Sequence, residues 1–293
     1  MQTTGPADDW LTDVLRDRAA AKFTGALRVD GQPGGMIFFA DGRISACATS
    51  GAPSAEVILL RSGRLAVSDW EAAFTAAAVN GYEMTAELIT RELLGAGELE
   101  AVLRTALADA MFAVASGRID GWTEAPAAEC LLPLAPPVGS GWLLNEAIRR
   151  SQVLASSPAP VPGARDRIAA GPAAARGRLG PGQDEILALV DGRRTPRDLA
   201  FALGRGLYET TLQVARMQVA DVVVVSPPGP TQGKRTDAVP DGNAADRTPT
   251  GLPRRRKDRS GQPRSEPPSR RNLAASIRML LPRSDENTMP EGT

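Results

Sequence analysis

The chain has 293 residues, enough for one large domain or two smaller ones, and its 34 Lys and Arg balance its 34 Asp and Glu, with no histidine. Aromatic residues make up 4% of it, and 29 glycines and 24 prolines argue for folded parts joined by unfolded ones rather than one tightly packed globule. The missing histidine removes Ser–His–Asp and Cys–His catalysis and every His metal ligand. The two cysteines, Cys47 and Cys130, lie far apart and in no CxxC spacing, which argues against a Cys-rich zinc site or a disulfide framework and for a reducing, cytoplasmic setting.

The balanced total hides an asymmetry. Residues 1–152 carry 12 basic against 19 acidic side chains, whereas residues 253–283 carry ten basic against two acidic. An acidic body and a basic tail imply an electrostatic partner for the tail. The opening MQTTGPADDW has neither the basic nor the apolar region of a signal peptide. No run approaches the roughly 18 apolar residues of a membrane span.

In chain order, Asp9–Ala21 places Trp10, Leu11, Val14 and Leu15 on one helical face. Three strand-like runs follow, Ala26–Val29, Met36–Ala40 and Arg43–Ala48, with Asp41-Gly42 as a type I′ hairpin turn. Together they predict a three-stranded antiparallel meander. Helices are expected over Pro53–Ser62, from a Ser68–Glu71 capping box through Val79, over Thr85–Leu94 and over Gly97–Ser116. Arg118–Glu124 reads as one more strand and Ser140–Leu154 as a helix. Phe38 and Phe39 are neighbours on a strand, so one should enter the core while the other faces away from it.

Residues 153–178 are rich in Pro, Gly and Ala and read as a linker. Residues 179–226 read as three helices and a short strand: Asp184–Val190, a helix opened by Thr195-Pro196-Arg197-Asp198, Leu207–Ala220, and Val222–Val225. That order is a winged-helix pattern. Residues 227–293 read as a disordered basic tail with a short amphipathic segment at 270–283. There Leu273, Ile277, Leu280 and Leu281 share one helical face and would contact a partner, either an acidic groove or an anionic membrane surface. The fold class expected is α+β: a meander with helices, then a small winged-helix domain, a linker between them and a disordered C-terminal tail.

The runs Phe23–Val29 and Gly35–Arg43 with Ala46, followed by Glu98–Asp109, resemble the PATAN domain family, over roughly residues 8–152. The segment Asp184–Met217 is similar to the winged-helix segment that follows such domains in actinobacteria. The resemblance implies a non-enzymatic bacterial signalling or regulatory protein acting through protein–protein contact, with a partner of response-regulator or small-GTPase type. It implies no cofactor.

The residues themselves agree as far as they go. The chain has no phosphate-binding GxxxxGK[ST] and no GxSxG. Its acidic pairs fall at helix starts, where the helix dipole accounts for them. Cys47 reads as a core residue on an alternating strand, and Cys130 as partly exposed. No catalytic, cofactor-binding or metal-ligating residue is assigned. The alternative is a DNA-binding transcriptional regulator that uses Thr210, Thr211, Gln213 and Arg216 on the third helix of the winged-helix block as base and phosphate contacts. That block is close to neutral in charge, which weighs against it.

Overall fold

The computed structural model describes residues 7–227 except 82, 126–129, 176–178 and 181. The tail segment 270–283, with Leu273, Ile277, Leu280 and Leu281, lies outside the described residues. The fold is mixed α+β.

Helix α1 (Ala7–Ala20) seats Leu11 and Leu15 in the core. Strands β1 (Gly25–Gln32), β2 (Gly35–Ala40) and β3 (Arg43–Thr49) form the expected meander. β4 (Arg118–Ala125) adds itself antiparallel beside β1, giving the order β3-β2-β1-β4. Asp41 and Gly42 both have positive φ, as the I′ turn requires. Gly42 is needed there for a second reason: a Cβ on it would come within 2.6 Å of the Ala19 carbonyl. Phe39 is the inward member of its pair, edge-on to Phe23 at 5.7 Å, and Phe38 is half-buried on the other face.

The open edge of β3 is not left bare. Residues 130–138 run beside it, with Ile44 and Val138 exchanging backbone hydrogen bonds of 2.8 and 2.9 Å and the Leu134 amide donating to Ser45 O at 2.8 Å. Covering an edge in this way blocks pairing with a foreign strand.

Helix α2 (Ala55–Arg61) is capped by Ser54, whose hydroxyl accepts from the Val57 amide. α3 (Val67–Asn80) begins earlier than the sequence suggests: Ala66 is the N-cap, so Ser68 lies inside the first turn and no capping box forms there. Asp69 takes the third helical position, where its charge meets the positive end of the dipole. α4 (Met84–Thr90) stops short of Leu94 because Glu92 takes a left-handed φ of 57°, and the amides of Leu93 and Leu94 then turn back onto the Leu88 carbonyl.

α5 (Ala96–Ala115) is the central helix. The predicted stripe Leu99, Val102, Leu103, Ala106, Leu107, Ala110, Met111 and Val114 is buried throughout. From Ala106 onward every residue to Val114 is buried, so the second half of α5 is covered all round. β3 and β4 lie on it, as do α2, α6 (Ser140–Ala155) and α9 (Leu207–Val219).

The remaining elements build a second core. α7 (Gln183–Leu189), α8 (Pro196–Leu203) and α9 lie between β5 (Arg167–Ala170) and β6 (Val223–Ser226), which pair antiparallel. Ile168, Ile186, Leu199, Val214, Met217, Val222 and Val223 are buried together. β5 falls within the stretch read as linker, where the Pro and Gly content masks the short run Arg-Ile-Ala-Ala. α8 starts as predicted: Thr195 and Asp198 exchange side-chain-to-backbone hydrogen bonds of 3.2 and 3.0 Å behind Pro196. The described residues all belong to one compact unit. Among them, no helix is long and apolar enough to cross a membrane.

Candidate interaction surface

α9 is the helix that would enter a DNA groove. It packs instead against α5, α6, α7 and α8. Thr210 and Thr211 are buried, and their hydroxyls donate back to Gly206 O at 2.9 Å and Leu207 O at 2.8 Å. The Gln213 side chain accepts from Gln183 Nε2 at 3.3 Å. Only Arg216 of the four is exposed. The threonines share the helix face of Val214 and Met217, so burying the apolar stripe carries them inward with it. The structure therefore does not bring these four residues to one free surface.

An ionic cluster sits against the start of α9. Asp109, in the middle of α5, is 2% exposed at its side chain and pairs with Arg150 of α6. The Arg150 guanidinium lies 4.9 Å from the Tyr208 ring centroid, and Tyr208 meets Phe112 edge-on at 5.9 Å. Glu146 accepts from Arg150 Nε at 2.8 Å and from two Arg149 nitrogens at 2.8 and 2.7 Å. Those hydrogen bonds, that from Arg149 foremost, hold the Glu146 carboxyl down at about 2. Burial pushes the Asp109 carboxyl above the ordinary aspartate range; Arg150 and the Leu207 and Tyr208 amides oppose that. Asp109 Oδ2 has no hydrogen bond of good geometry. It faces the start of α9 at Gly206, where any Cβ would collide with it. A carboxylate from α5 thus serves the positive end of α9, which has no side-chain cap of its own.

The surface with unspent chemistry is the outer face of α3 with the end of α4. Inward, α3 presents Trp70, Ala73 and Ala77. Outward it presents Ala72, Thr75, Ala76 and Val79, the last 78% exposed. These line a shallow, open depression that also takes in Glu71 and Arg91. Val67 and Ile89 add exposed apolar surface on the same two helices. The surroundings are acidic: seven carboxylates and one arginine lie between Leu65 and Leu103. Glu87, Glu98 and Glu100 are paired with Arg91, Arg64 and Arg104. Asp69, Glu71, Glu83 and Glu92 form no ion pair among the described residues. The strand-end charges Arg28, Asp30 and Arg43 are exposed, and Arg43 donates to Pro137 O at 2.8 Å.

No family model, curated protein or solved structure matches the chain.

Proposed function

We propose that the chain is a non-enzymatic bacterial signalling or regulatory protein, cytoplasmic, acting through protein–protein contact of a PATAN-like N-terminal domain. The observation that carries this reading is the α3–α4 face. It combines exposed aliphatic side chains with carboxylates that form no ion pair among the described residues. The partner is a protein that offers a basic, amphipathic helix: its apolar side fits the small-residue depression, and its Lys or Arg meet Asp69, Glu71, Glu83 and Glu92. A receiver domain or a small GTPase of a signalling system is the class the family resemblance favours.

Residues 179–226 act in this reading as a winged-helix-like unit devoted to internal contact rather than to DNA. Its three helices and short terminal strand support the winged-helix description, and the burial of Thr210 and Thr211 weighs against groove binding. The test is a two-hybrid screen of the full chain against receiver domains and small GTPases, run beside the Glu71→Lys/Val79→Asp variant. Partners that bind the wild type and not the variant support the proposal. Partners indifferent to the substitution, or none from either class, overturn it.

A further inference from the structure

The two cysteines, distant in sequence, line one cavity in the fold. Cys47 projects from β3 and Cys130 stands at the head of the segment that covers the β3 edge; both are free thiols on the wall of one cavity of about 190 Å³ between β3, α2 and α5. The rest of the wall is mostly alanine and leucine, and no Lys or Arg lines it. Its other hydroxyls are already used: Ser45 donates to Phe38 O, Thr49 to Gly34 O, and Ser54 caps α2. The donor groups left on the wall are the two sulfurs, of which Cys130 Sγ also accepts from the Leu132 amide, and the Glu56 carboxyl.

From this placement we infer that Cys47 and Cys130 form a two-thiol binding site for a soft divalent ion of the mercury(II) type. Thiolates select soft ions, and two sulfurs with one hard carboxylate, and no group of three metal-binding side chains among the described residues, suit an ion that accepts two-coordinate, linear binding rather than zinc, which takes four ligands. A divalent ion with two thiolates is neutral overall, so an apolar wall without cations accommodates it at little electrostatic cost. The reaction balances as two thiols plus one divalent ion giving one bis-thiolate complex and two protons released to solvent. Before binding, both thiols are held protonated: burial pushes Cys47 up to about 12, with the neighbouring Cys130 adding to it, and burial raises Cys130 as well.

The test titrates mercury(II) chloride into the full, reduced chain, reading sulfur-to-metal charge-transfer absorbance and proton release in weak buffer. The expected result is one ion and two protons per chain, with each of Cys47→Ser and Cys130→Ser weakening binding at least 100-fold in competition with a small monothiol. Circular dichroism of both variants confirms that they fold. Two ions per chain in the wild type, or single variants that compete as well as the wild type, would show independent thiols and overturn the site. The wild-type stoichiometry decides the matter even if a variant fails to fold.

Discussion

Replacing Asp109 with alanine tests the ionic cluster that sits against the start of α9. The substitution strips Arg150 of its buried counter-charge while both side chains are at most 10% exposed, so solvent screens little of the loss. Removing one partner of a buried pair costs about 3–5 kcal/mol. Glu146 still holds Arg150 from the other side, which places the expected value at the lower end. The start of α9 loses its buried carboxylate as well, leaving Glu209 as the acidic residue of its first turn. For a unit of this size the melting temperature should fall on the order of 6–20 °C. The assay is urea and thermal denaturation of the full chain for Asp109→Ala, Arg150→Met and the double variant. Because the two residues act on one another, the double variant should cost about 1 kcal/mol or more less than the sum of the singles. Proteolysis should also quicken in the loop between α6 and β5 of Asp109→Ala. A single variant within about 1 kcal/mol of wild type, or strict additivity, would refute the assignment.

Thr195→Ala removes the hydroxyl that closes the α8 capping box and should cost about 1 kcal/mol, read by chemical denaturation. Acid titration should single out Glu146. Glu146 is held at about 2 against an ordinary value of 4.5, so it contributes stability above pH 4.5 that is lost as the pH falls toward 2; Glu146→Gln should flatten that limb of the stability profile. In an electrophoretic shift assay at physiological salt, the full chain should bind duplex DNA no better than non-specifically. A submicromolar, sequence-selective complex would restore the regulator reading.

The N-terminal meander and most helices were legible because their signals are local. Asp41-Gly42 fixes the hairpin within two residues, and Thr195-Pro196 with Asp198 fixes a helix start within four. The inward stripe of α5 was also legible, since it repeats along one helix. Its other face was not, because Ala108, Asp109, Phe112 and Ala113 are buried by elements that arrive from far along the chain. Asp109 did leave a trace: it is a carboxylate in an Ala-Leu-Ala-Asp-Ala-Met-Phe run with no oppositely charged residue one turn away. Such an acid has no surface reason to be there. β5 escaped notice because four residues among prolines and glycines carry too little pattern to separate a strand from a linker. Thr210 and Thr211 were assigned outward because polar side chains on a third helix suggest a groove; the back-bonding to α9 carbonyls that lets a threonine be buried leaves no mark in the sequence. The α3 face was obscured in the opposite way, since alanines that line an open depression look the same in sequence as alanines packed inside.

The central claim is that the α3–α4 face binds a basic protein surface. Its most direct measurement is calorimetric titration of a partner from the receiver or small-GTPase screen into the full chain at low and physiological salt, for wild type and Glu71→Lys/Val79→Asp. The affinity should weaken as salt rises and fall at least tenfold in the variant at either salt, with the variant's melting curve unchanged. Equal affinity for wild type and variant, or binding insensitive to salt, would contradict the claim.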